Sequence, residues 1–378
     1  MRSLILMFSS FFIGGLLFAQ APKYSNDFMY IGVGAHNFGM GNAVVASTND
    51  VTAGYWNPAG LTKIPNKLQM TFMHNEYFAS IAKYDYFAFA APLDSNKHAF
   101  GVSFLRFGVD DIPNTLDLLE PDGTINYDNV KSFSVGDYGF MFSYANAMVK
   151  NLSVGATAKV VYRKAGKFAN AWGFGIDVGA IYTIKDWQIG LTVKDITTTF
   201  NAWSFSFTDK EKQILQQEDN AIPKNSLEIT LPRIQFGGAY TKTFKKTALT
   251  AEIDLEITTD GKRNTLIATN RLSFDPRIGL EAGFFNIFYL RAGVGNFQKM
   301  KTDGQSKAKM TVQPNLGVGL RFKTLAVDYA YTDVGKASNN QYSHVISAKV
   351  GFNKRKDKSG NEIIGTPENI INNKAIIK

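Results

Sequence analysis

Residues 32–61 read GVGAHNFGMGNAVVASTNDVTAGYWNPAGL, and the arrangement of the rest of the chain follows from this stretch. Its glycines lie close together, small residues follow them, and an Asn-Pro pair near its end predicts a turn. Large apolar side chains are too few for a core, so we expect the stretch to pack inside a larger structure. Its defining residues are Gly34, Gly39, Gly41, Asp50, Tyr55, Trp56, Asn57, Pro58, Ala59 and Gly60.

These glycines do not form a nucleotide-binding loop. A dinucleotide fingerprint would have a third glycine where Asn37 stands and a strand directly before it, and a phosphate loop would continue as Gly-Lys-Ser/Thr. We therefore interpret the stretch as a structural segment.

The start of the chain predicts export. Arg2 precedes an apolar run from Leu4 to Phe18, and Ala19-Gln20-Ala21 offers a cleavage site, which together predict a signal peptide over residues 1–21. The run is short for the alternative, an N-terminal membrane helix. The chain has no cysteine, which excludes disulfides and lipoprotein anchoring, and its net charge of +9 is spread along the sequence. An exported protein of this kind is not expected to bind nucleic acid.

From Lys67 onward, apolar and polar residues alternate with a period of two. The repeating segments are longer than the roughly 5–6 residues of a typical strand and match the roughly 9–11 of a tilted membrane strand. This predicts an all-β fold, a transmembrane antiparallel β-barrel of about fourteen strands, over a soluble periplasmic β-protein. The strands are predicted near 67–76, 78–91, 97–108, 134–147, 151–164, 169–183, 186–199, 227–243, 246–258, 275–285, 287–299, 311–323, 324–334 and 341–353.

The predicted domains follow from this pattern. A plug segment occupies residues 22–65, the barrel residues 66–353, and a periplasmic C-terminal tail residues 354–378. Long connections near 109–133, 200–226 and 259–274 fall on alternate links, which is typical of extracellular loops. Residues 209–219 of the second long loop predict a helix with opposite charges at helical spacing.

Three parts of the N-terminal stretch, SNDFMYIGVGA (25–35), GMGNAVVAS (39–47) and DVTAGYWNPAGL (50–61), resemble the signature of the PorV/PorQ group of outer-membrane proteins. That group lies within the wider FadL-like barrels. The resemblance implies an N-terminal stretch that plugs the barrel from inside and a role in the type IX secretion system. His36 stands where the group often has an arginine.

Charged residues fall on the inward faces of the predicted strands. Because both signs are present, we expect neighbouring strands to pair them in a network that holds the plug, since unpaired buried charges are costly. A charged conduction path is the alternative. The network comprises Lys159, Arg163, Asp177, Glu252, Asp254, Glu256, Arg277, Glu281 and Arg291.

Enzymatic signals are weak. The four histidines are scattered without metal-ligand spacing, and the three carboxylates at 252, 254 and 256 fit an inward barrel face as well as a catalytic pair. We predict no catalytic residues, no metal and no cofactor.

Two functions remain open. The resemblance implies a type IX secretion component that receives secreted cargo by its C-terminal sorting domain and passes it from the translocon to the attachment complex, with outer-membrane lipid around it. The alternative is a FadL-like channel for hydrophobic small molecules, which needs an apolar pocket beside the plug and a defect in the wall. Apolar loop residues could bind cargo, or fold back on the rim; they are Ile112, Leu116, Leu118, Phe205, Phe207, Ile214 and Leu215.

Overall fold

The computed structural model describes residues 25–78, 80–93, 97–118, 120, 122–300, 309–333 and 342–354. The predicted signal peptide and the predicted tail, except for Lys354, lie outside these residues. None of the described helices is both long and apolar enough to cross a bilayer.

One antiparallel sheet contains every strand. The strands are β1 (Asn66–Tyr77), β2 (Ala82–Pro92), β3 (His98–Asn114), β4 (Lys131–Val149), β5 (Leu152–Ala165), β6 (Ala169–Ile184), β7 (Trp187–Lys194), β8 (Thr199–Phe205), β9 (Ser226–Thr230), β10 (Arg233–Phe244), β11 (Thr247–Thr258), β12 (Ile267–Ala268), β13 (Ser273–Phe284), β14 (Phe288–Met300), β15 (Lys309–Phe322), β16 (Leu325–Asp333) and β17 (Tyr342–Lys354).

The sheet closes on itself, because β1 pairs with both β2 and β17. β7 and β8 lie end to end along β6, and β9 and β10 continue each other along β8 and β7. Each of these two pairs fills one wall position, and β12 only extends a loop beside β13. The seventeen strands therefore form a closed barrel of fourteen positions, as the sequence predicts.

The period-two pattern explains the two faces of the wall. In β4, Met141 and Ser143 are buried on the inward face, whereas Phe140, Phe142 and Tyr144 are exposed on the outward face. Exposed aromatic and aliphatic side chains on a closed barrel form the apolar band typical of a membrane-facing surface.

The barrel has a short-turn end and a long-loop end. Residues 150–151, 185–186, 245–246 and 323–324 connect strands at the first, and residues 115–130, 206–225 and 259–272 at the second. Two predicted loop residues belong to the wall instead: Ile112 lies in β3, where it pairs with Phe133, and Phe205 ends β8. The strands continue pairing beyond the predicted boundaries.

The helices are short and lie outside the wall positions. They are the 3-10 helices Asp27–Tyr30, Pro58–Lys63 and Tyr127–Asn129 and the α-helices Ala35–Gly39, Ala53–Trp56 and Asp209–Gln217. The last of these confirms the predicted loop helix.

Candidate functional site: the filled lumen

Residues 25–64, the N-terminal segment, pack against the inward faces of the strands. Hydroxyls of Ser25 and Thr230 lie 2.7 Å apart near the long-loop end, and the Thr62 and Ser153 hydroxyls lie 2.8 Å apart near the short turns. All ten motif residues predicted for the segment are buried. The segment therefore runs along much of the lumen before it enters β1.

Two carboxylates of β11 bind the middle of the segment. Asp254 Oδ2 accepts hydrogen bonds from the backbone N–H groups of Val44 (2.8 Å) and Val45 (3.0 Å). Glu252 accepts from Ala46 (2.6 Å) and Ser47 (3.2 Å). Among the described residues neither carboxylate forms an ion pair, so the expected pairing with basic neighbours does not apply to them. Backbone dipoles take the place of cations.

The last strands bind the segment through charge. Lys349 Nζ of β17 lies 2.5 Å from Asp50 Oδ2, and the Ser347 hydroxyl accepts from the Ala35 N–H at 3.1 Å. His36 Nε2 lies 3.2 Å from Glu281 Oε2 of β13. Segment residues 35, 36 and 50 are thus fixed to β13 and β17, on the C-terminal side of the closure.

The Asn-Pro turn sits where the wall offers no side chains. Asn57 Nδ2 donates to the carbonyl oxygens of Val45 (2.9 Å) and Ala180 (3.2 Å). A Cβ at Gly155 would lie 2.7 Å from the Pro58 carbonyl carbon and 2.8 Å from Ala59 N. Gly41 of the segment approaches β14 in the same way: a Cβ added at Gly41 would lie 2.7 Å from Val294 N. Its φ of +64° also favours glycine. Inward glycines let two backbones meet.

The aromatic residues of the segment surround a buried lysine. Lys194 Nζ lies 4.3 Å from the Tyr55 ring centroid and 5.4 Å from that of Trp56. Trp56 Nε1 donates to the Val33 carbonyl at 3.0 Å, and the Gly32 N–H donates to the Tyr55 hydroxyl at 3.0 Å. Cation–π contact and internal hydrogen bonds hold these rings, rather than a free apolar pocket.

The other predicted charges form four clusters. Lys159 bridges Asp177 (2.7 Å) and Asp195 (2.5 Å). Arg291 bridges Glu281 (2.6 Å) and Asp328 (2.8 Å). The remaining contacts are Arg277–Glu256 at 2.9 Å, Arg233–Glu256 at 3.6 Å, Arg233–Asp27 at 2.5 Å, Arg163–Asp137 at 2.8 Å and Arg163–Glu228 at 3.3 Å.

Several of these partners were missing from the predicted network. Arg233 continues the alternation of Gln235 and Gly237, so its inward position could have been found from the sequence. Asp195 leaves the strand pattern altogether, and Asp27 and Lys349 meet their partners across more than 200 residues. No local signal marks such contacts.

A cavity of about 410 Å³ opens at the long-loop end above the segment. Aromatic side chains line one part of it, among them Tyr30, Phe38, Tyr77 and Phe107, and polar groups such as Arg263 line another. The segment forms its floor. The volume falls within the roughly 300–1,000 Å³ of small-molecule sites.

The wall is interrupted beside this region. Pairing runs from Lys194↔Arg233 to Thr199↔Thr230, which leaves residues 195–198 opposite only 231–232. Pro232 has no N–H to donate, which weakens a ladder. The Ile196 N–H still donates to the Ile176 carbonyl at 2.9 Å on the other side. Residues 195–198 are therefore still bonded to β6 on one side, but they are not paired with residues 231–232 on the other.

The seven predicted cargo-binding residues are all half-buried at the long-loop end. The Phe207 ring stacks between Phe205 (6.5 Å) and Phe168 (5.8 Å), and Phe168 meets Phe133 at 5.4 Å. These rings therefore pack on one another along the rim.

Ion pairs fix the loop helix Asp209–Gln217. Lys210 Nζ lies 2.6 Å from Asp117 Oδ1, and this hydrogen bond holds the pKa of Asp117 below its usual range. Burial raises the pKa of Glu211, but the Lys167 ammonium 2.7 Å away outweighs it and the pKa is lowered. Thr208 and Glu211 form a capping box that begins the helix.

The fold is similar to those of solved channel proteins. CymD, a monoaromatic hydrocarbon channel, is 14% identical, with a TM-score of 0.54 over 85% of this chain and 98% of that chain. The Ralstonia pickettii toluene transporter TbuX is 13% identical, with a TM-score of 0.51 over 85% and 98%. The P. putida toluene transporter TodX is 13% identical, with a TM-score of 0.51 over 86% and 99%.

No protein-family model matches the chain, and no curated protein matches it. At these identities the likeness concerns architecture alone. The chain has the fold of these channels, a closed antiparallel barrel, with fourteen strand positions.

Proposed function

We propose that the chain is an outer-membrane channel for hydrophobic small molecules and that its N-terminal segment is the gate. The carrying observation is the cavity of about 410 Å³ at the long-loop end, whose floor is the segment. Aromatic rings there suit an apolar body, and the polar side keeps the mouth wet. The similar solved channels take monoaromatic hydrocarbons or toluene, which supports ligands of that class.

The contacts of the segment suit a gate. Hydrogen bonds from its backbone to Glu252 and Asp254, and from Asn57 to the Ala180 carbonyl, hold it, and such bonds exchange with water at modest net cost. The resemblance to FadL-like barrels implies that ligands leave sideways through the wall, and residues 195–198 are a place where two neighbouring strand positions are not paired. A signal peptide over residues 1–21 would deliver the chain to the outer membrane.

A reversible lock on the segment tests this function. Because the chain has no cysteine, a Ser25→Cys/Thr230→Cys pair, whose hydroxyls lie 2.7 Å apart, would form a unique disulfide that ties the segment to the wall. Cells that express the pair should lose uptake of radiolabelled toluene when oxidised and regain it on reduction. The Ser25→Cys variant alone, treated identically, is the control. Undiminished uptake in the locked barrel would contradict the gate.

The second candidate is a type IX secretion component that accepts cargo. The half-buried apolar residues at the long-loop end and the densely packed, charged lumen favour it. Replacing residues 206–225 with a tight turn removes the loop helix and should abolish surface attachment of sorting-domain proteins while sparing toluene uptake. Normal attachment with lost uptake in the locked variant would reject this candidate and keep the channel.

A further inference from the structure

The short-turn end of the barrel carries a ring of lysines. They are Lys97, Lys150, Lys185, Lys245, Lys246 and Lys323, one or two in each described connection at this end except residues 285–287. All six are exposed, and none forms an ion pair with another described residue. The described part of these connections holds one carboxylate, Asp186, which already pairs with Lys242 at 3.2 Å.

The opposite end has no such excess. Residues 115–130 carry four carboxylates and no cation, residues 206–225 carry four carboxylates and three lysines, and residues 259–272 carry one carboxylate and three cations. Asp117 and Glu211 there are paired with lysines. These three long loops together have no positive excess, whereas the described turns at the short-turn end carry six lysines and one carboxylate.

Large apolar side chains stand beside the lysines at the same level. Trp187, Phe244, Phe285 and Phe322 are all exposed on the outward face next to the turns. Lys246 Nζ lies 5.6 Å from the Phe285 ring centroid, and Lys323 Nζ lies 5.5 Å from that of Phe322. Aromatic rings at this level are typical of a bilayer interface.

We propose that this lysine ring binds anionic phospholipid headgroups in the leaflet at the short-turn end. The lysines lie in turns all around the barrel, and a lipid leaflet surrounds a barrel, whereas a docked protein covers one side. Ammonium groups attract lipid phosphates as point charges, and the aromatic rings lie at the depth of the glycerol region. The proposal requires a barrel in a bilayer and is independent of what passes through the lumen.

Two exposed tryptophans allow a matched test. Trp187 lies beside the lysine ring, and Trp172 lies near the opposite end of β6 on the outward face. In reconstituted vesicles, brominated phosphatidylglycerol, which quenches tryptophan fluorescence, competes with phosphatidylcholine. The part of the quenching that disappears in Trp187→Phe or in Trp172→Phe reports the lipid beside that tryptophan. We expect about a fivefold preference for the anionic lipid at Trp187, the effect of roughly one lysine at the surface, and none at Trp172.

The preference at Trp187 should vanish in 0.5 M salt and in a Lys185→Gln/Lys245→Gln/Lys246→Gln variant, because screening and neutralisation remove the same attraction. Equal ratios at the two tryptophans, or a preference that survives both treatments, would overturn the proposal. Native mass spectrometry of the detergent-solubilised Lys150→Gln/Lys323→Gln variant gives a second measure. Fewer bound phosphatidylglycerol molecules are expected, and an unchanged number would count against the ring.

Discussion

At the residue scale, the most informative contacts are those of Glu252 and Asp254. A buried carboxylate without a cation is costly unless hydrogen bonds replace the lost water. Here four backbone N–H groups of residues 44–47 do so, and each carboxylate and its donors depend on one another. Removing a carboxylate therefore leaves its backbone donors without acceptors, and displacing the segment leaves the carboxylates without donors.

Substitution of Glu252 should therefore depend on what replaces it. Glu252→Gln keeps an oxygen for the Ala46 N–H, whereas Glu252→Ala leaves that buried donor without an acceptor, at about 1–3 kcal/mol, and also removes the acceptor of the half-buried Ser47 N–H. We expect larger spontaneous conductance in planar bilayers for Glu252→Ala than for Glu252→Gln, because the segment is released. Equal conductance in the two variants would mean that charge, and not the acceptor, holds the segment.

Two glycines provide a second comparison. Gly155→Ala places a methyl group against the backbone of Pro58 and Ala59, and such overpacking typically costs about 1–3 kcal/mol. Gly238→Ala meets nothing within 4 Å and is the matched control. The temperature at which the barrel unfolds on a heated gel should fall for Gly155→Ala and stay nearly constant for Gly238→Ala. Equal shifts would indicate a general propensity effect instead.

At the element scale, the stability of the docked loop helix Asp209–Gln217 should depend on pH. The pKa values of Asp117 and Glu211 are lowered, so their ion pairs stabilise the docked helix above the ordinary carboxyl values of 3.8 and 4.5 and are lost as the pH falls through the lowered values. Hydrogen exchange of amides 209–217, corrected for intrinsic rates, should accelerate only below about pH 4.

Asp117→Asn together with Glu211→Gln should loosen the helix at neutral pH and flatten this dependence. Asp209→Asn is the control, since the ion pair that Asp209 forms among the described residues is with Lys212 inside the same helix. An unchanged pH profile in the double variant would show that other groups hold the helix.

The wall strands could be predicted because alternation is a local property, and each strand records its two faces in its own residues. The interruption at 195–198 was missed because alternation resumes after it, in the next part of the same wall position. The loop boundaries failed at Ile112 and Phe205 because the wall keeps pairing beyond the predicted ends of the strands. The partners of Glu252 are backbone groups, which no residue type reveals.

At the scale of the whole molecule, closure predicts resistance to detergent. Because every wall position pairs on both sides, unboiled protein should migrate differently from boiled protein on a gel. Deleting β17 opens the seam and should abolish the difference. Identical migration of boiled and unboiled full-length chain would contradict a closed barrel.

The contacts of β17 also set the order in which the molecule can be completed. This strand is made last, seals the cylinder against β1, and carries both Lys349 for Asp50 and Ser347 for Ala35. A cylinder sealed while empty would leave that lysine without its carboxylate. We therefore expect the N-terminal segment to be in place before β17 pairs with β1. A barrel whose segment is displaced should fail to close and should be degraded by cellular proteases.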